Sequence, residues 1–278
     1  MRKNASAEDP YTPQSLLGFI RHLYKNQEYY RAFVELERLD AYWPGYLDPG
    51  RLHIARINFL MKSRRYDDVV KEQKAKNYPF ACASEIFYRD AELHLVRWGA
   101  VINKINIEKC EDFCFFFWKR DFISAILRGD EKEARMMLSE SIFPKTFPEE
   151  KEKFNGILER AHLWRQDMRD PYLALFAGVI PGLGYISGGN KPTGVLAFIV
   201  IGVFSSLAAA AYKTENRPIG ICLGTVAGFF YGGSILGGYM TAKRHNAQIE
   251  KIIRQNAIED AELEKDREVI FEKYGLPR

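Results

Sequence analysis

From residue 13 to 142 apolar positions recur every third or fourth residue rather than every second, and glycine-rich hairpin turns are missing. That spacing predicts helices, each with one stripe to bury. Beyond residue 170 the pattern changes to three nearly uncharged apolar segments, 172–186, 193–212 and 219–240. A bilayer-crossing helix needs about 20 apolar residues, which the second and third segments supply. The first is broken by Pro181 and Gly182, so 172–190 is expected to be interfacial or re-entrant. From 241 to 278 the chain is charged again, a predicted helical tail with a thin stripe of Ile249, Ile252, Ile253 and Ile258. Such a stripe fits packing back on the repeats or pairing with a partner helix. The expected fold class is all-α: a helical solenoid, a transmembrane helical hairpin and a charged C-terminal helix.

Four stretches within 13–142 share one plan: "HLYKNQEYYRAFVEL", "NFLMKSRRYDDVVKE", "LHLVRWGAVINKI" and "SAILRGDEKEARMML". Each joins an apolar helix end to a second amphipathic helix through a short polar or small break. The breaks fall near Asn26, Ser63, Arg97 and Arg128, at intervals of 37, 34 and 31 residues. A period of this size marks stacked helix pairs, none of which can bury its stripe alone. The array resembles tetratricopeptide repeats. Tyr29, Ala32 and Pro44 carry the match in the first copy, Tyr66 and Val69 in the second, and Gly129 and Ala134 in the fourth. The third, around Trp98 to Val101, rests on spacing. The resemblance implies a concave face that binds a peptide or partner protein, with Arg21, His53, Arg56 and Asn58 on first helices as candidate lining residues.

The aromatic run "FCFFFWKRDF", 113–122, cannot point one way on a helix and is expected to be buried between repeats. Pro144 and Pro148 end the array. A helix within 143–170, with Glu149 and Glu150 placed well for the helix dipole, is expected to cap it and lead to the apolar segments.

Composition sharpens the boundary. Residues 171–240 hold only Lys191, Lys213, Glu215 and Arg217 of the chain's 76 charged side chains, but 14 of its 21 glycines. Glycine enrichment of this kind is a feature of membrane helices. Gly220, Gly224, Gly228 and Gly232 recur at intervals of four on one helix face, and Gly202, Ser206 and Ala210 do so in the preceding span. Small residues let backbones approach closely in lipid, so the two rows are expected to face each other. No acidic or basic residue lies inside either span, so no ion or proton pathway is indicated.

"PGLGYISGGNKPTG", 181–194, invites a nucleotide reading that its spacing refuses. Gly184 and Gly189 are separated as in a phosphate loop, but Asn190 precedes Lys191, and Pro192 stands where a magnesium-binding hydroxyl is needed. A dinucleotide loop lacks its third glycine and its later acidic residue. The stretch resembles instead the PGxGxxYxGxxxxG start of a two-span hairpin module found in bacterial membrane proteins, some of which carry tetratricopeptide repeats. Pro181, Gly182, Gly184, Gly189 and Gly194 carry the match. Ile186 and Ser187 stand near the usual tyrosine, with Tyr185 one or two places early. The resemblance implies membrane residence and bacterial origin and brings no activity with it.

A net charge of +4 and pI near 8.7 do not point to nucleic acid. Cys110 and Cys114 are spaced CxxxC without the second ligand pair that zinc needs. Packed free thiols are expected, with a bond from Cys82 to Cys110 or Cys114 as the alternative. No metal, cofactor or nucleotide is expected. Residues 1–12 read as a flexible N-terminus without the apolar core of a signal peptide.

Basic residues flank the apolar region at Arg160, Arg165, Arg169, Lys243, Arg244, Lys251 and Arg254, against Lys213 and Arg217 in the turn between spans. The positive-inside rule then puts the repeats on the cytoplasmic face of a bacterial inner membrane, or the periplasmic face if an export signal was missed. The expected function is a membrane-anchored adaptor for protein partners in an envelope complex. The alternatives are a small-solute channel or transporter subunit, and a membrane-bound enzyme using His162, Asp167 and Asp170.

Overall fold

A computed structural model of the chain describes residues 12–73, 80–95, 110–140 and 148–277. Among these residues every regular element is a helix, so the chain is all-α. The α-helices are α1 (Pro13–Lys25), α2 (Tyr29–Tyr42), α3 (Pro49–Lys62), α4 (Tyr66–Gln73), α5 (Ala81–Leu95), α6 (Cys114–Arg128) and α7 (Glu131–Glu140). They continue as α8 (Pro148–Gln166), α9 (Pro171–Ala177), α10 (Leu183–Ser187), α11 (Lys191–Lys213), α12 (Arg217–Asp260) and α13 (Leu263–Tyr274).

Several of these helices share one start signal. Thr12, Asp48, Asp170 and Asn190 each cap a helix with the side-chain oxygen, and a proline follows within two positions. The oxygen takes free N–H donors of the first turn, and proline has none to leave unpaired. Asp48, for instance, accepts from the amides of Gly50 at 3.0 Å and Arg51 at 3.1 Å.

The chain divides into two compact units, one made of residues up to 158 together with 256 onward, the other of 159–255. In the first, α1 with α2, α3 with α4 and α6 with α7 form helix pairs whose first helices end at Asn26, Ser63 and Gly129. The turns are sharp: Gln27, Arg64 and Gly129 adopt left-handed φ values of 62°, 59° and 82°. At the small positions of the second helices, Ala32, Val69 and Ala134 are fully buried, which is what close helix approach requires. The third break near Arg97, with Trp98 to Val101, lies outside the described residues, as do 1–11 and Pro144. Pro148 opens α8.

Leu16, Ile20 and Leu23 of α1 pack with Ala32, Leu36 and Leu39 of α2 and with Leu52, Ala55 and Phe59 of α3. A second cluster continues through Ile54 and Ile57 of α3, Val69 of α4, Ile86 and Phe87 of α5 and Phe117 of α6. From the aromatic run, Phe117, Trp118 and Phe122 are buried. Phe154 of α8 meets Trp118 and Phe122 edge-on, with ring centroids at 5.0 and 5.2 Å.

The expectation of free thiols does not hold. α5 and α6 pack side by side, which brings Cys82 near the start of α5 and Cys110 just ahead of α6 to a Cα separation of 5.8 Å, and the two form a disulfide. Cys114 and Cys222 remain free.

In the second unit, 172–190 consists of the short α9 and α10, seven and five residues long. Neither approaches the length needed to cross a bilayer. α11 and α12 are long and apolar enough to do so. Glu215, at φ 63°, turns the chain between them. The tail departs from the expected single helix. α12 runs on through the charged region to Asp260, Glu262 turns the chain at φ 56°, and α13 begins anew at Leu263.

Candidate functional site

α1, α3, α5 and α6, with their neighbours, build the helical core of the first unit. α13 packs against α3, α5 and α6. Its apolar residues enter the repeat core. Ile270 joins the cluster of Ile54, Ile57 and Phe87. The Phe271 ring lies 5.1 Å from Tyr24 and 6.0 Å from Phe59, and Tyr274 lies 4.9 Å from Phe80 and 6.0 Å from Phe113.

Charge fixes the register. Arg120 of α6, fully buried, donates to Asp90 of α5 at 2.9 Å and to Asp266 of α13 at 3.0 Å. Lys119 reaches Asp266 at 3.0 Å, and Arg267 reaches Asp90 at 2.6 Å. Three cations and two carboxylates thus share one buried network spanning three helices. Burial alone would pull the Arg120 guanidinium down, but the charges and hydrogen bonds of Asp90 and Asp266 outweigh it and hold its pKa above the ordinary value. Nearer the surface, Lys62 donates to Glu264 at 2.6 Å and Glu268 at 2.8 Å. Beyond α13, Arg51 donates to the Gly275 carbonyl at 3.3 Å and Arg21 to that of Pro277.

The four expected lining residues therefore do not form an open binding surface. His53 and Asn58 are buried, because α3 is enclosed on several sides, with ten of its residues out of solvent. His53 hydrogen-bonds the Tyr88 hydroxyl at 2.6 Å, and burial, helped by the nearby Arg56 charge, lowers its pKa to about 4. Arg56 pairs with Glu37 at 2.5 Å and Asp40 at 3.6 Å, and Arg21 donates to the Pro277 carbonyl. The network residues Asp90, Lys119, Arg120, Asp266 and Arg267 were absent from the sequence-based candidates. Their visible signal is charge where none belongs, "KRD" inside an aromatic run and "DR" opposite the apolar positions of a short helix.

The residues considered for an enzyme site have separate local contacts. Asp170 caps α9 through the amides of Tyr172 and Leu173 at 2.8 and 3.3 Å, and His162 hydrogen-bonds Gln166 at 3.0 Å. Asp167 offers its backbone carbonyl to His245 at 3.1 Å.

In the second unit the glycines of the "PGLGYISGGNKPTG" stretch have a physical explanation. Gly182, at φ 79°, lies so close to Gly194 that a Cβ would sit 2.0 Å from the Gly194 carbonyl oxygen. A Cβ on Gly184 would meet the Ala174 carbonyl oxygen and the Gly178 Cα, each at 2.8 Å, and one on Gly188 would meet the Gly238 carbonyl oxygen at 2.9 Å. Gly189 turns the chain at φ 101°, and Pro181 precedes the left-handed Gly182. α12 also supplies partners for the broken backbone. The Gly182 amide donates to the buried Ser234 hydroxyl at 3.0 Å, and the Tyr231 hydroxyl donates to the Val179 carbonyl at 2.9 Å. Irregular backbone in an apolar medium needs such partners.

The two expected packing rows do not meet. A Cβ added at Gly202, Gly224, Gly228 or Gly232 finds nothing within 4 Å, and Ser206 and Ala210 are exposed. Gly220 alone of the row has a close neighbour, the Tyr212 ring, 2.7 Å from an added Cβ. α11 and α12 touch through the stacked rings of Phe204 and Phe230, 5.9 Å apart, too bulky for a glycine interface. Close approach on α12 belongs to another face. Gly237 and Gly238 lie against Tyr185 and Gly184, because α9 and α10 occupy α12 there.

On α1 and α2 a cavity of about 610 Å³ is lined by Ser15, Leu16, Phe19, Glu35, Arg38, Tyr42 and Trp43. Phe19 is 41% and Tyr42 68% exposed.

Comparison with protein-family models, with curated proteins and with solved structures finds no match.

Proposed function

We propose that the chain is a multi-pass, membrane-anchored helical-repeat scaffold, of tetratricopeptide-like build, that holds a protein partner at the bacterial inner membrane within an envelope complex. One observation carries the reading. The same chain joins a stacked-helix unit to two long helices whose apolar side chains face outward. Phe198, Phe229 and Leu236 are 59%, 78% and 65% exposed. Keeping such a side chain in water instead of an apolar medium forgoes about 1.5–3 kcal/mol at full burial. A bilayer around α11 and α12 removes that cost, with the two helices crossing as a hairpin.

The filled groove moves the partner surface elsewhere. α13 already takes the face that repeats of this kind offer, so the partner's contact falls on α1 and α2. There, Phe19, Tyr42 and Trp43 suit an apolar side chain of a partner polypeptide, and the Glu35 and Arg38 charges suit its backbone. Crosslinking in bacterial cells, mild-detergent purification of the full chain and mass spectrometry test this. The expected result is one specific co-purifying protein, lost in a Phe19→Ser, Tyr42→Ser double variant. Absence of any specific partner contradicts the scaffold reading.

A further inference from the structure

Two features of the repeat unit bear on the side of the membrane it occupies. The first is the Cys82–Cys110 disulfide, which closes a separation of 28 residues. Cys110 is buried in the cluster that holds Ile86, Phe87 and Phe117, and Cys82, Phe80 and Phe113 pack against it. The pairing is selective: Cys114 stays a thiol, with its Sγ donating to the Cys110 carbonyl at 3.6 Å. Disulfides held inside a fold belong to oxidising compartments, because cytosolic thiol pools keep such cysteines reduced.

The second is chain connectivity. The repeat unit contains both the chain before 158 and the chain after 256. α13 is tied into its core through Asp266, Arg267 and Ile270. A helix folded into that core is on the same side of a bilayer as the helices around it. Residues 159–255 must then cross an even number of times. With α9 and α10 too short to cross, the crossings are α11 and α12, and the turn at 214–216 faces the other side.

Resting on the membrane reading above, we infer that the repeat unit stands outside the cytoplasm, on the oxidising side, with the 214–216 turn facing the cytoplasm. The cations at Arg160, Arg165, Arg169, Lys243, Arg244, Lys251 and Arg254 pull toward the opposite orientation. The positive-inside rule counts Lys and Arg in short loops and within about 15–20 residues of a span's end, a range that includes Lys243, Arg244, Lys251 and Arg254, whereas domain-length segments translocate largely regardless of charge. The short loop between the two spans is the turn, flanked by Lys213 and Arg217. The disulfide decides between the two sets of charges.

The test uses the full chain in bacterial spheroplasts, with Cys114→Ser and Cys222→Ser as background and one added cysteine, Lys132→Cys or Glu215→Cys, both at solvent-facing helix or turn positions. A membrane-impermeant maleimide is applied before and after permeabilisation. The expected pattern is labelling of the Lys132→Cys chain in intact spheroplasts and of the Glu215→Cys chain only after permeabilisation. Any other pattern overturns the inference. Acid trapping followed by a non-reducing gel is expected to show a reduction-sensitive mobility shift that Cys82→Ser removes. Reactive Cys82 and Cys110 thiols in growing cells also overturn it. Recovery of the chain in the soluble fraction instead marks failure of the membrane reading itself.

Discussion

His53 and Arg120 show two ways in which a buried polar side chain is tolerated. His53 is kept neutral: its pKa is lowered from 6.5 to about 4, first by burial and then by Arg56. The unfolded chain therefore binds a proton between pH 6.5 and 4 that the folded chain does not, so stability falls as pH drops through that window. The thermal midpoint of the detergent-solubilised protein is expected to decline there, and His53→Gln to flatten the decline. A slope unchanged by the substitution assigns the effect to other groups. Arg120 is instead kept charged by Asp90 and Asp266. Removing one member of a buried charge network costs about 3–5 kcal/mol, because the partners stay buried and unpaired. Arg120→Met is expected to lower stability by that order, measured by chemical denaturation. Lys62→Met, whose partners Glu264 and Glu268 are 61% and 51% exposed, is expected to cost about 1 kcal/mol or less.

Among the elements, the glycines of the second unit invert the expectation from spacing. A glycine row at intervals of four is a sequence-level packing signal, yet Gly224, Gly228 and Gly232 face open space, while Gly184 and Gly238 have backbone within 3 Å of a virtual Cβ. Gly184→Ala and Gly238→Ala are expected to lower the temperature at which the solubilised protein aggregates, and Gly228→Ala to leave it unchanged. Equal effects of all three contradict the observed packing. The sequence revealed that the chain is helical and where three of the pairs break, because helical periodicity and the breaks at Asn26, Ser63 and Arg128 are local properties. It did not reveal that Gln27 and Arg64 adopt left-handed turns, since neither is the glycine or asparagine that usually marks one. The place of α13 was also hidden. The pairing of Asp90 and Arg120 with residues 266 and 267 joins segments well over a hundred positions apart, and no periodicity records it.

For the molecule as a whole, these contacts describe a helical unit in which α13 packs against α3, α5 and α6, with 159–255 standing in the chain between the two segments of that unit. That stretch contains two helices long and apolar enough to cross a bilayer. Its glycine motif works as a backbone-packing device, and Ser234 and Tyr231 satisfy a broken segment that a lipid environment would otherwise penalise. Anchoring by these helices underlies both the proposed scaffold role and the inferred topology. Alkaline carbonate extraction of membranes from cells making the full chain tests it most directly. The protein is expected to stay in the membrane pellet and to be released only by detergent. Release into the supernatant as a detergent-free, folded protein would contradict it.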